Sequence, residues 1–143
     1  MSAVAEYRLL IADVYELAGL SRRISEREAA ACDTTVARWH VLSAVSDAPA
    51  SVPAIARRLG QVRQGVQRVV DELVDAGQLA RHPNPRHRRS PLVGITGEGL
   101  RVLDRLWAAS EPSRSDQLTA SRVTPAELRQ ARATLRKVIT ALA

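Results

Sequence analysis

Two glycines, Gly60 and Gly77, limit the fold of this 143-residue chain more than any other feature. Between them Val66, Val69, Val70 and Leu73 recur at three- and four-residue spacing, the pattern of a helix with one buried face. Just upstream, Ser51 has N-cap chemistry and Pro53 is tolerated in a helical first turn, so a short helix is expected to end near Leu59. Glycine enters the left-handed conformation that closes a helix without steric cost. Gly60 is therefore read as the stop of the short helix. Gly77 is read as the C′ residue of a longer one, from about Arg63 to Ala76. Two short apolar runs follow, Leu79 to His82 and Leu92 to Ile95, separated by a loop with Asn84 and Pro85. They predict a hairpin with a long basic tip.

The remainder reads as helix. Tyr7, Leu10, Ile11, Val14, Leu17 and Ala18 mark one face of a long helix from about Ala5 to Ala31. Asp33 or Thr34 can cap a second helix running to about Ser46, with Val36, Trp39, Leu42 and Val45 inward. Thr96 with Glu98 opens a fifth helix carrying Leu100, Leu103, Leu106 and Trp107, which Pro112 is expected to kink or end. Ser110 to Ser121 is the most polar stretch and is expected to be mobile. Thr124-Pro125-Ala126-Glu127 is a capping box with proline at N1, and it starts a sixth helix that runs to the C-terminus. The fold class is mainly α: a winged helix-turn-helix with a small β-hairpin wing, flanked by terminal helices. The length suits one domain of residues 1–143. Its winged-helix lobe would span about 33–98, with flanking terminal helices at about 1–31 and 99–143.

Charge gives this fold a partner. The chain carries a formal charge of +6, and Lys137 is its only lysine. Between Ala54 and Ser90, eight arginines (57, 58, 63, 68, 81, 86, 88 and 89) face three acids, Asp71, Glu72 and Asp75. Nearly all the excess therefore sits in the helix-turn-helix and hairpin, as expected of a protein that binds nucleic acid. Arg63, Gln64, Gln67 and Arg68 share the side of their helix opposite the valines. Arginine pairs bidentately with guanine and glutamine with adenine in the major groove, so this side is the candidate reading face. Gly65, a poor helix former, suggests close approach of the backbone to DNA or to another helix.

The runs Ala54-Ile-Ala-Arg-Arg-Leu-Gly60 and Val66-Gln-Arg-Val-Val-Asp-Glu-Leu-Val-Asp-Ala-Gly77 are followed by Arg81, Asn84-Pro-Arg-His-Arg-Arg89 and Ile95-Thr-Gly-Glu-Gly99. In this order they resemble the multiple-antibiotic-resistance-regulator (MarR) family over about Val36 to Gly99. The resemblance implies a homodimer built from both chain ends, each subunit placing one helix and one wing on double-stranded DNA. It implies a sequence-specific regulator, commonly a repressor, at a palindromic operator. Ser51 and Arg57 would touch the DNA backbone, and Arg86, His87, Arg88 and Arg89 would form the wing. Independently, Leu128, Ala131, Leu135, Val138 and Leu142 form a seam suited to a second helix. With Tyr7, Leu10 and Val14 this seam is the candidate dimer interface. The wing departs from the family pattern, an aspartate, any residue, then arginine. Here His87, Arg88 and Arg89 stand in those places, so Arg89 keeps its expected reach into the minor groove but loses its acidic brace. A mobile wing is expected without DNA, and a DNA affinity that rises when His87 is protonated.

Family members that respond to small phenolic or lipophilic anions suggest a ligand pocket, for which Tyr15, Trp39, His40 and Trp107 are the candidates. Cys32, the single cysteine, gives an alternative reading as a peroxide sensor, though it lies at the wrong end of the first helix for that role. A non-specific architectural DNA binder is the other alternative. The three histidines, His40, His82 and His87, are scattered, and no metal-ligand spacing, phosphate loop or catalytic grouping appears. No enzyme, no cofactor and no metal is expected. With no apolar stretch long enough to span a membrane and no secretory leader, a cytoplasmic location is expected.

Overall fold

The computed structural model describes residues 1–143. Six helices and three short strands follow one another along the chain: α1 (Ala3–Ala31), α2 (Val36–Ala44), β1 (Ala50–Ser51), α3 (Val52–Leu59), α4 (Arg63–Asp75), β2 (Leu79–His82), β3 (Leu92–Ile95), α5 (Gly97–Ser121) and α6 (Pro125–Leu142). The chain forms two compact units, Met1–Ala109 and Ser110–Ala143. No helix is long and apolar enough to cross a membrane.

In the first unit the apolar spacing of α4 becomes packing. Val66, Val69, Val70 and Leu73 are buried, in one cluster with Trp39 and Leu42 of α2, Ile55 of α3 and Leu103 and Leu106 of α5. Arg38 on α2 gives two hydrogen bonds to Glu72 on α4, at 3.1 and 3.3 Å. Both side chains are partly exposed, so this ion pair orients more than it stabilises. α3 and α4 close by the same device. Gly60 (φ 64°) and Gly77 (φ 74°) are left-handed. The next N–H reaches back five residues, Gln61 to Ala56 O and Gln78 to Leu73 O, both at 2.9 Å.

That device also corrects the expected start of α2. Asp33 takes φ 55° just past the end of α1, and the Thr34 N–H returns to Ala29 O at 3.0 Å. Asp33 and Thr34 therefore terminate α1, and the N-cap of α2 is Thr35, whose hydroxyl accepts from Arg38 N.

The hairpin pairs Leu79 with Ile95 and His82 with Leu92, antiparallel as expected. A third strand was not expected. β1 adds to the far side of β3, with Ala50 opposite Val93 and Ser51 opposite Leu92, giving the order β1-β3-β2. Two residues carry no alternation to read, and Ser51 is at the same time the N-cap of α3, accepting from Ala54 N at 3.3 Å.

Thr96 locks the wing to the next helix. Its hydroxyl donates to Gly77 O at 2.6 Å and accepts from Gly99 N at 3.1 Å, while its N–H reaches Gln78 O at 3.1 Å. A side chain on Gly99 would strike the Gln78 carbonyl and lie 2.7 Å from Ile95 Cγ1, so only glycine fits this crossing.

α5 continues through Pro112 to Ser121, so the proline does not end the helix, and the polar stretch from Ser110 is helical. Pro112 has no N–H for the carbonyl one turn back, and the division between the two units falls in that same turn. In the second unit, the capping box at Thr124 forms as read from the sequence. Thr124 N donates to Glu127 Oε2 at 2.8 Å, and Glu127 N donates to Thr124 Oγ1 at 3.2 Å. The Thr124 backbone N–H, and secondarily the Thr124 hydroxyl, which donates to Glu127 Oε2 at 2.9 Å, hold the Glu127 carboxyl below its ordinary value. No residue of α6 is fully buried: Leu135 and Val138 are half-buried, and Leu128, Ala131 and Leu142 are exposed.

Candidate nucleic-acid interface

Burial of the valine side of α4 turns its opposite side outward. Arg63, Gln64, Gln67 and Arg68 are all exposed. All four line one groove of about 500 Å³, together with Val52 and Pro53 from α3, Asp71, and Arg89, Ser90 and Pro91 from the wing. Residues of α4 and the wing arginine, far apart in sequence, are thus brought to one surface. Gln64 and Arg68 also border a second depression on the other flank of α4, with Val62 and Gly65. The N-cap of α4 is Val62, which offers no side-chain acceptor, so the first-turn N–H groups of this helix carry no such cap. A Cβ at Gly65 would meet nothing within 4 Å. No neighbouring helix of this chain requires glycine there, and any close approach must be to another molecule.

The wing tip has an internal brace that the sequence did not reveal. Asn84 Nδ2 donates to Ser90 O at 2.9 Å, and Asn84 Oδ1 accepts from Arg86 N at 3.1 Å. The His87 N–H reaches Asn84 O at 3.2 Å, and the Ser90 N–H reaches His87 O at 3.1 Å. One asparagine side chain thus spans the loop and fixes the backbone that carries Arg86, His87, Arg88 and Arg89, all four exposed. These bonds act on the loop backbone and not on the Arg89 guanidinium, whose acidic brace is the one absent from the sequence.

Asp71, on the groove side of α4, was also missed. Its Oδ1 accepts from Gln67 Nε2 at 2.9 Å and from Arg81 Nη2 on β2, joining α4 and the wing. A long-range partner has no sequence signal here, because Asp71 alone reads as one more solvated acid.

Ser51 and Arg57, the expected backbone contacts, differ in availability. Ser51 is half-buried with its hydroxyl engaged as a cap, whereas Arg57 is exposed near the end of α3 and does not line the main groove.

The four candidate ligand residues differ widely in burial. Trp39 is 8% exposed in the core, Tyr15 is 75% exposed and Trp107 is 45% exposed. His40 lines a depression of about 350 Å³ with Ser43, Ala44, Asp47, Arg58 and Leu59, without the other three. Burial, and secondarily the positive charge of Arg22, lower the pKa of His40 below 6.5. Cys32 is half-buried at the end of α1 and packs against the core cluster. On α1, Tyr7 is exposed while Leu10 and Val14 are half-buried.

A profile of the MarR family matches residues 33–90. An uncharacterised protein of Mycobacterium tuberculosis (strain H37Rv) is 47% identical over 137 residues, covering 96% of this chain and 94% of the relative. Among solved structures, the transcriptional regulator BldR from Sulfolobus solfataricus superposes with a TM-score of 0.80 at 20% identity, covering 99% of both chains. A mutant MarR from E. coli in complex with operator DNA superposes with a TM-score of 0.68 at 23% identity, covering 96% of this chain and 99% of that one. The outward Arg-Gln face of α4, the braced wing and the three-stranded sheet are thus the winged-helix parts of a chain that belongs to the MarR family.

Proposed function

We propose that this chain is a transcriptional repressor that binds a palindromic operator as a homodimer, with α4 in the major groove and the wing reaching into the minor groove. One observation carries the reading: Arg63, Gln64, Gln67 and Arg68 share a single exposed groove with Arg89 while the opposite face of α4 is buried. The glutamines matter most. Phosphate binding needs only positive charge, whereas carboxamides offer a donor and an acceptor that suit base edges. The uncapped first turn of α4 adds N–H groups and a positive dipole end suited to a phosphate. A structural neighbour of the same fold, mutant MarR from E. coli, is in complex with operator DNA, which supports DNA as the partner.

Dimerisation is supported by two apolar surfaces, taken separately. The α6 seam of Leu128, Ala131, Leu135, Val138 and Leu142 has no fully buried residue within the subunit, and Leu142 is 68% exposed. On α1, Tyr7, Leu10 and Val14 leave apolar surface open. Two-fold symmetry then sets two half-sites about one helical turn, or a multiple of it, apart.

Selection of bound duplexes from a random pool at physiological salt tests this reading. Enrichment of one inverted repeat is the expected result. Recovery of unenriched DNA, with affinity set by salt alone, would replace it with non-specific architectural binding.

A further inference from the structure

Gln67 is held rather than free. A carboxylate only accepts hydrogen bonds, so the bond from Gln67 to Asp71 Oδ1 dictates that the amide NH₂ faces the acid. Oε1 must then lie on the other edge of the amide. Arg81 bonds the same Asp71 oxygen from β2, which fixes the carboxylate and offsets a negative charge in a groove whose other charged residues are arginines.

We infer that Asp71 is a specificity-determining positioning residue: it locks the Gln67 carboxamide so that its oxygen, with the remaining N–H beside it, is what α4 offers to the DNA base. The inference rests on the proposal that α4 reads the major groove. Adenine presents a donor at N6 and an acceptor at N7, which match the oxygen and the remaining N–H together. Cytosine presents a donor at N4 that the oxygen alone can use. Guanine and thymine present only acceptors at the matching edge, and they meet the oxygen with repulsion. Without Asp71 the amide can turn over and satisfy guanine through its N–H groups. Asp71 touches no base itself. Its effect is to remove one of the two ways Gln67 can be read.

The test uses the full-length protein and a duplex selected from a random pool, with single-base variants at each half-site position. Gln67→Ala first identifies the position that Gln67 reads, as the one where discrimination is lost. At that position the wild type is expected to favour adenine over guanine by about 5-fold or more. Asp71→Ala should bring the two within about 2-fold of each other, leave preferences at other positions unchanged, and leave binding to random DNA equal or stronger. Asp71→Asn keeps an acceptor oxygen of the same reach, which Arg81, a donor only, would hold in place beside Gln67, so it should retain the adenine preference. Thermal unfolding of each variant accompanies the titrations. A folded Asp71→Ala protein with the wild-type adenine preference overturns the inference. So does a folded Asp71→Asn protein as indifferent as Asp71→Ala. If Gln67→Ala changes no base preference anywhere, the reading of DNA by this face of α4 fails first, and the inference falls with it.

Discussion

The side-chain amide of Asn84 donates to the backbone carbonyl of Ser90 at 2.9 Å, closing the wing on itself without an acidic residue. The same side chain accepts from Arg86 N, so one residue fixes both limbs of the loop. Replacing it with alanine removes both bonds from an exposed loop and leaves the core untouched. Asn84→Ala is therefore expected to weaken operator binding by about 1 kcal/mol, roughly 5-fold. Fluorescence anisotropy with the selected duplex reads the affinity, and thermal unfolding should stay within about 2 °C of wild type. An unchanged affinity would mean the wing needs no preorganisation.

Gly99 supports the wing from the other end. An alanine there collides with the Gln78 carbonyl and with Ile95 Cγ1 at 2.7 Å. Neither can yield without disturbing the Thr96 bonds to Gly77 and Gln78. Gly99→Ala should cost about 1–3 kcal/mol of stability by overpacking. Urea unfolding measures it, and a midpoint equal to wild type would show that the crossing of α5 over the end of α4 is looser than described.

His40 makes stability depend on pH. Burial and Arg22 lower its pKa below 6.5, so the unfolded chain binds the proton more readily than the folded one. Between the lowered value and 6.5 the unfolded state carries more protons, and stability falls as pH drops through that window. Above 6.5 the residue is neutral in both states and contributes no pH dependence. His40→Asn should flatten the fall in unfolding midpoint between pH 7.5 and 5.5. Identical slopes for the two proteins would assign the acid sensitivity to other groups.

The α6 seam gives a prediction for assembly. Leu128 and Leu142 are 42% and 68% exposed within the subunit, so charge at these positions should leave the subunit folded. Under the proposed homodimer, the wild type is expected to sediment as a dimer at micromolar concentration and the double variant Leu128→Glu with Leu142→Glu as a monomer. A dimer of undiminished stability would place the interface elsewhere.

The helix-turn-helix and its wing were legible because each rests on local chemistry. Gly60 and Gly77 announce left-handed closures, the valine spacing of α4 announces a buried face, and Thr124 with Glu127 announces a capping box. The misses rest on geometry that sequence spacing does not carry. β1 is too short to alternate, and its pairing with β3 is set by where α3 begins. Thr35 replaced Asp33 as the cap because the end of α1 consumed Asp33 and Thr34 first. Pro112 sits inside α5, where the loss of one helical bond is tolerated. In the candidate site, the exposure of Arg63, Gln64, Gln67 and Arg68 follows from the valines opposite them. The Asp71 contacts with Gln67 and Arg81, and the Asn84 clamp, join residues whose meeting depends on the sheet and loop geometry.

The most direct measurement compares the wild type with a Gln64→Ala, Gln67→Ala, Arg68→Ala triple variant on the selected operator and on random duplex at the same salt. These side chains are exposed, so the variant should unfold at the wild-type temperature. If α4 reads bases, the variant's affinity for the operator should fall until it approaches its affinity for random DNA, while random binding drops only by the share owed to Arg68. An operator preference that survives intact in the folded triple variant would contradict the placement of this helix face on DNA.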